Sequence, residues 1–149
     1  MNNTTRLIAL SCVVLTTACA TMTPEQQAAL SVSQNMSYMT DKAQYGVDEK
    51  WVVGAAYGDC EDWALTFMEV VGGGTMHECG VERKYVEMCS KPEFKGSSKC
   101  TGHAIVQYKG RYYDNNNYWG YKWSPCEIVI GSSYAYGSKE LERKMKEFE

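Results

Sequence analysis

Two kinds of hydrophobic periodicity divide this chain, and their order restricts its fold more than any other feature. In the first half, apolar residues recur at i, i+3, i+4 and i+7, which predicts an amphipathic helix. They are Ala64, Phe67, Met68 and Val71. The glycines "GGG" at 72–74 predict the end of that helix. The second half alternates apolar and polar residues, which predicts strands.

Three stretches of the second half carry the strand pattern. "HAIVQYKGRYYDN" (103–115) predicts two strands joined by a turn at Lys109 and Gly110. "VERKYVEMC" (81–89) and "CEIVI" (126–130) predict two more. Helices followed by an antiparallel sheet are typical of an α+β domain.

Capping signals predict further helices at both ends. Thr23, Pro24 and Gln26 form the pattern of an N-cap, a first helical position and a capping box, so a helix is expected after Thr23. A last helix is expected from about Ser138, and it places three apolar residues on one face. These are Leu141, Met145 and Phe148.

The amino terminus has the features of an export signal. Arg6 precedes an apolar run at 7–18 that is too short to span a bilayer as a helix. "LTTAC" resembles a bacterial lipobox, with Thr16 where that pattern prefers Leu, and it predicts lipidation of Cys19. We therefore expect a lipoprotein-type signal peptide at 1–18 and one domain at 19–149, exported and anchored in the bacterial cell envelope on its periplasmic side. An ordinary cleaved signal or an uncleaved anchor remains the alternative, and each exports the domain.

The charge pattern argues against nucleic acid as a partner. The formal net charge is −3, and acidic and basic residues are interspersed without a Lys/Arg stripe that could follow a phosphate backbone.

An exported domain changes how its cysteines are interpreted. Without Cys12 and Cys19, five cysteines remain, an odd number in an oxidising compartment. We expect Cys89 to pair with Cys100 and Cys79 with Cys126, which leaves Cys60 free, although four cysteines allow three connectivities. A zinc site with His77 and Cys79 is the alternative, but "HEC" lacks a paired C-x-x-C.

The free cysteine lies in the block "YGDCEDWAL" (57–65). Three carboxylates surround Cys60 in this block, and their charge raises the pKa of a thiol. The same position begins the predicted helix, where the helix dipole and unpaired N–H groups stabilise a thiolate. We expect the helix terminus, together with an imidazolium, to stabilise the thiolate more than the acids destabilise it.

That imidazole is expected to come from the predicted hairpin. His103 opens one strand and Asp114 closes the next, so both lie on adjacent strands near one edge of the sheet. If the helix of Cys60 packs on that edge, thiol, imidazole and carboxylate align as nucleophile, base and orienting group.

Together these blocks resemble the bacterial transglutaminase-like cysteine peptidases. In that family a G-D-C-E-D-[YW]-A block bears the nucleophile, a G-H-A block the histidine and a later D-N the aspartate. All three occur here in order, and the upstream stretch "QNMSYMTDKAQYGVDEKW" (34–51) is similar to the family's pattern of Asn, Tyr, Asp and Trp. The resemblance implies a transglutaminase-like (papain-like) fold, with Cys60, His103 and Asp114 as the catalytic residues.

Two further roles follow only from the resemblance. It implies that Asn35 helps to hold an oxyanion, and that Asp59, Glu61 and Asp62 bind calcium, as the acids of this block do in some members. The alternative without metal is that Asp59 caps the helix while Glu61 and Asp62 favour its first turn. The chemistry itself requires no cofactor.

Two classes of function therefore stay open. The first is an exported peptidase or amidohydrolase that attacks an envelope protein or peptide through a thioester on Cys60, or transfers the acyl group to an amine with the same residues. The second is a non-catalytic binding module of the cell envelope. The aromatic residues of 115–136 are expected either to line a substrate groove or, more simply, to cover the sheet.

Overall fold

The computed structural model of the protein describes residues 21–94, 97–100 and 102–149. The helices are α1 (Pro24–Asn35), α2 (Asp41–Tyr45), α3 (Cys60–Val71), α4 (Val86–Cys89) and α5 (Lys139–Glu147), with short 3-10 turns at Arg83–Tyr85, Pro92–Phe94 and Ser98–Cys100. The strands are β1 (Ser37–Tyr38), β2 (Tyr57–Gly58), β3 (Thr75–Glu82), β4 (His103–Tyr108), β5 (Arg111–Asp114), β6 (Asn117–Tyr121) and β7 (Cys126–Ala135). The predicted mixture of helices and an antiparallel sheet is confirmed.

Five strands form one antiparallel sheet in the order β6-β5-β4-β3-β7. The predicted hairpin is present: Tyr108 pairs with Arg111 across the turn, where Lys109 and Gly110 both have positive φ angles. β1 and β2 form a separate parallel pair, with Tyr38 opposite Gly58. This pair leads directly into α3, so the chain approaches the helix amino terminus in a fixed direction.

The core lies between α3 and one face of the sheet. Trp63 and Phe67 stack on the buried side of α3 with ring centroids 5.2 Å apart, and Phe67 also meets Tyr113 of β5 at 5.1 Å. Val106 and Ala104 of β4 are fully buried in the same cluster. Complete burial of large aromatic side chains fixes the position of α3 on the sheet, and with it the position of Cys60.

The predicted helix boundaries are also found. The Thr23 hydroxyl accepts from the Gln26 N–H, and the Gln26 side chain accepts from the Thr23 N–H, which completes the capping box. α3 ends at Gly72, whose φ of 64° is the left-handed conformation that glycine adopts most readily. α5 begins after Ser138, whose hydroxyl accepts from the Leu141 N–H.

The strand prediction was wrong for most of residues 81–89. Only Val81 and Glu82 are extended, at the end of β3, and the chain then forms a 3-10 turn and α4. The last pairing of β3 with β7 is Glu82 with Cys126, and β4 ends its pairing with β3 at Cys79. Beyond Glu82 the Arg83 N–H still donates to the Pro125 carbonyl, and the described backbone after it forms local hydrogen bonds such as that from the Ser90 N–H to the Val86 carbonyl. Most of β3, which lies between β4 and β7 in the sheet, and all of β6 were not predicted.

The predicted disulfides are confirmed. Cys79 is bonded to Cys126 and Cys89 to Cys100, and Cys60 is the free cysteine among the described residues. This pairing excludes the zinc alternative, because Cys79 is consumed and His77 hydrogen-bonds to Ser133 and Gln107.

The two disulfides are expected to differ in how much they stabilise the fold. Their sequence separations are 47 and 11 residues, and the loop-entropy account predicts a larger loss, by about 1 kcal/mol, for the Cys79–Cys126 pair. Replacing each pair by alanines and measuring the free energy of unfolding in guanidinium chloride tests this. Each pair is expected to contribute about 2–5 kcal/mol. An equal or larger loss of unfolding free energy on replacing Cys89 and Cys100 would contradict the prediction that the Cys79–Cys126 pair stabilises the fold more.

The predicted signal peptide and the lipidation site Cys19 lie outside the described residues. Within the part of the chain that the structure describes, no helix combines the length and the apolar character needed to cross a membrane.

Candidate active site

A buried histidine and carboxylate form the centre of the site. The Nε2 of His103, at the start of β4, donates to Oδ2 of Asp114, at the end of β5, over 3.0 Å. Asp114 is fully buried and its Oδ1 accepts from the Asn116 N–H at 2.8 Å. The antiparallel register of β4 and β5 produces this contact, as the sequence predicted. With Nε2 engaged, Nδ1 is the ring nitrogen that can accept a proton.

Cys60 is brought to the same place by α3. It is the first residue of the helix, and its sulfur accepts a hydrogen bond from the backbone N–H of Ala104, next to His103. Cys60 and His103 line one cavity of about 330 Å³. The structure therefore places Cys60 and His103 in one open pocket, and Asp114 is buried behind His103.

The thiol is less acidic than expected. Burial is the largest cause that raises the pKa of Cys60 well above its usual range, and the charge of Glu61 adds to it. The Cys60 Sγ donates to Glu61 Oε2 over 2.9 Å, which holds the proton on sulfur. The expectation that the helix terminus outweighs the acids is wrong for the protein without bound ions. Neutralisation of those acids or a nearby imidazolium is needed to form the thiolate.

Asn35 lies away from this pocket. It ends α1, its side-chain amide donates to the Ser31 carbonyl at 2.7 Å, and it lines a different cavity beside Met36. The structure thus does not bring Asn35 to the thiol. Tyr38, three residues later in β1, lines the catalytic cavity instead.

A cluster of carboxylates lies beside the nucleophile. One oxygen each of Asp41, Asp59 and Asp62 lies within 4.8 Å of the others. Asp41 and Asp62 are buried, and one side-chain oxygen of each of the three is buried without a hydrogen-bond donor. Buried anionic oxygens that converge without donors are costly unless a cation binds them. These three residues therefore fit a hard divalent cation such as calcium.

Backbone groups hold the cluster in place. The Lys50 N–H donates to Asp41 Oδ2 and the Val52 N–H donates to Asp62 Oδ1, so the other oxygen of each faces its neighbours. A Cβ at Gly58 would lie 2.6 Å from Asp62, which explains the glycine of the motif at this close approach. Burial raises the pKa of Asp62 to about 7.

The acids predicted from the motif as calcium ligands lie in two overlapping groups. Asp59 and Asp62 belong to the cluster with Asp41. Glu61 accepts from the Cys60 thiol and forms, with Asp59 and Cys60, a second group whose side-chain atoms lie within 4.8 Å of one another. Burial raises the pKa of Glu61 to about 8, as it raises that of Asp62 to about 7. Asp59 occupies the N-cap position without a capping hydrogen bond from its side chain, so capping does not explain this acid. Asp41 was not among the predicted ligands, although it lies in the upstream stretch that is similar to the family pattern.

Comparison with protein families agrees with this geometry. The family model of the bacterial transglutaminase-like cysteine proteinases matches residues 11–111, which is most of the chain. The chain belongs to this family. No curated protein matches it.

The match to this cysteine proteinase family includes Cys60, His103 and all three acids of the cluster. It ends three residues before Asp114, so the role of that carboxylate rests on its hydrogen bond to His103. Glu82, a further buried acid that lines the catalytic cavity, lay in a predicted strand and was not singled out.

Proposed function

We propose that this protein is a peptidase or amidohydrolase that cleaves an amide bond of an envelope protein or peptide through a thioester on Cys60, within a transglutaminase-like (papain-like) fold. The observation that carries the proposal is the buried hydrogen bond between His103 and Asp114 in the cavity that also holds Cys60. An exposed surface histidine has no such buried acceptor. The family membership supports the same chemistry.

The reaction assigns a step to each residue. His103 takes the thiol proton, and the Cys60 sulfur attacks the carbonyl carbon of the scissile amide. The imidazolium then gives that proton to the leaving nitrogen as the C–N bond breaks, which leaves a thioester. A water molecule, deprotonated by His103, attacks the thioester and releases the acid and the thiol. Asp114 holds the ring and stabilises the imidazolium.

We also propose that Asp41, Asp59 and Asp62 hold a calcium ion. The ion supplies positive charge beside the helix that begins with Cys60, and so offsets the acids that raise the pKa of the thiol. Support comes from the three unpartnered buried oxygens of the cluster.

We further propose that the domain is exported and anchored by a lipid on Cys19 in the periplasmic side of the cell envelope. Two disulfides in a small domain are consistent with an oxidising compartment.

A binding module without catalysis is the second candidate. The raised pKa of the Cys60 thiol and its hydrogen bond to Glu61 favour it, because both keep the sulfur protonated. Acyl transfer to an amine uses the catalytic residues of the first candidate and differs only in the second nucleophile.

The reactivity of the Cys60 thiol distinguishes a catalytic nucleophile from the cysteine of a binding module without catalysis. The protein is treated with iodoacetamide across a range of pH values, with and without about 1 mM calcium. Calcium sites of extracellular modules bind in about this concentration range. We expect one labelled thiol, Cys60, at a rate that calcium increases and that His103→Ala reduces at least about tenfold. Peptide mapping by mass spectrometry identifies the site.

His77→Ala is the matched control, since the chain contains only two histidines. The control is expected to label as fast as the wild type. Labelling of Cys60 that is slow under every condition, or equally fast in His103→Ala, would favour the binding module over the peptidase.

A further inference from the structure

A second acid lies beside the proposed catalytic histidine, and the triad does not include it. Glu82 ends β3, at the point where the chain leaves the sheet for the 3-10 turn Arg83–Tyr85. Its neighbour β4 carries His103, which pairs with Cys79 across the sheet. The end of β3 therefore lies against the edge of the sheet where His103 and Asp114 meet.

The geometry places Glu82 in direct range of the imidazole. A ring nitrogen of His103 and one oxygen each of Glu82 and Asp114 lie within 4.8 Å of one another. Only 6% of Glu82, 9% of His103 and none of Asp114 is exposed. Charges that are this close and this well shielded from water interact strongly. Glu82 also lines the cavity that contains Cys60.

Glu82 is paired with a lysine. The Lys84 Nζ forms an ion pair with Glu82 Oε2 over 2.9 Å. Lys84 is itself half-exposed and lies over the Tyr85 ring. Because water screens the lysine, it offsets the buried carboxylate only in part.

We propose that Glu82 is a second carboxylate partner of the catalytic imidazole: with Asp114, it stabilises the positive charge that His103 acquires when it takes the thiol proton. It is a positioning residue that acts through His103. The inference rests on the proposed function for its role in catalysis, but the electrostatic contact between Glu82 and His103 is independent of it. A thiol with two acids at the start of its helix needs an unusually well-stabilised imidazolium, and one carboxylate more supplies it.

Other charges face the same histidine and have to be held constant. On α3 these are the thiol of Cys60 and the carboxyl of Glu61. On the sheet they are Asp114 and the phenol of Tyr121, which interacts with both Asp114 and Glu82. The remaining cavity wall contributes Tyr38, Tyr85 and the amine of Lys99.

Titration of the two histidines by NMR tests the proposal without any substrate. The full chain carrying Cys60→Ala removes the thiol, and saturating calcium keeps the neighbouring acids in one state. In this background Glu82→Gln is expected to lower the pKa of His103 by about one unit, as loss of a close opposite charge does. Lys84→Met is expected to raise it, because the carboxylate loses its counter-charge. His77 is the internal reference in each spectrum.

Glu87→Gln, an exposed acid on the neighbouring α4, is the matched control and is expected to leave the His103 titration unchanged. A His103 pKa that is equal in Glu82→Gln and in the background protein would overturn the proposal. If Glu82→Gln does not fold, Lys84→Met still tests the proposal. A His103 pKa that falls or does not change in Lys84→Met would contradict the predicted rise. If both shifts occur and the wild type cleaves no amide, the proposed function fails while the role of Glu82 stands.

Discussion

Replacement of Cys60 by alanine is expected to reduce amide hydrolysis by about four orders of magnitude or more, because no other group in the cavity can form the thioester. His103→Ala is expected to cost as much, since thiol and imidazole act as a unit. Asp114→Asn is expected to cost about 10³- to 10⁴-fold, because a donor in place of the acceptor disfavours the tautomer with hydrogen on Nε2. A peptide library digested by the calcium-loaded protein and read by mass spectrometry supplies the assay.

The combination of variants tests the triad more sharply than single losses. Cys60→Ala with His103→Ala is expected to be no slower than either variant alone, because both remove one chemical step. His77→Ala and Asp48→Asn are the matched controls and should retain full activity. His77 does not line the cavity of Cys60, and Asp48 is exposed. Cleavage that persists in Cys60→Ala, or that is lost in the controls, would exclude the proposed mechanism.

The contact between His103 and Asp114 in the proposed triad was predictable because strand alternation and turn chemistry are local. The positive φ angles of Lys109 and Gly110 fix the hairpin, and its register then brings His103 to Asp114. The helix that begins with Cys60 was equally predictable from the sequence, because its apolar spacing and the terminating Gly72 lie within one segment. The capping box at Thr23 has the same local origin.

The remaining parts of the site depend on tertiary contacts that no local pattern contains. Asp41 becomes a candidate ligand only because the segment that contains Lys50 and Val52 lies against the carboxylates. There the Lys50 N–H donates to Asp41 and the Val52 N–H donates to Asp62. Glu82 ends β3 because its partner strands end there, which alternation along 81–89 could not reveal. The acidity of Cys60 likewise depends on its burial and on the direction of the Glu61 side chain.

Removal of calcium is expected to destabilise the protein and to reduce its activity. At a calcium concentration one hundred times Kd, binding stabilises the fold by about 2.7 kcal/mol, which is a rise in Tm of roughly 5–10 °C for a domain of this size. Asp41→Asn and Asp62→Asn are expected to abolish that rise, because each removes an oxygen charge from the cluster. Thermal unfolding with calcium and with EDTA measures the effect, and calorimetric titration gives Kd.

Two further variants separate the ligand sets. Glu61→Gln is expected to weaken calcium binding far less than Asp62→Asn, because Glu61 is directed to the thiol. Asp48→Asn alters an exposed acid that pairs with Lys42 and serves as the control. A Tm that does not respond to calcium, or a Glu61→Gln loss as large as that of Asp62→Asn, would refute the site of Asp41, Asp59 and Asp62.

The pH dependence gives an independent check on that site. Burial raises the pKa of Asp62 from 3.8 to about 7 and that of Glu61 from 4.5 to about 8, so the folded protein without calcium binds more protons than the unfolded chain between these values. Its stability should therefore fall as pH rises from about 4 to about 8, and the raised pKa of the Cys60 thiol should extend the fall to higher pH. Calcium has to displace the Asp62 proton, so its affinity should rise through pH 7 while the bound protein loses the part of this slope that Asp62 contributes.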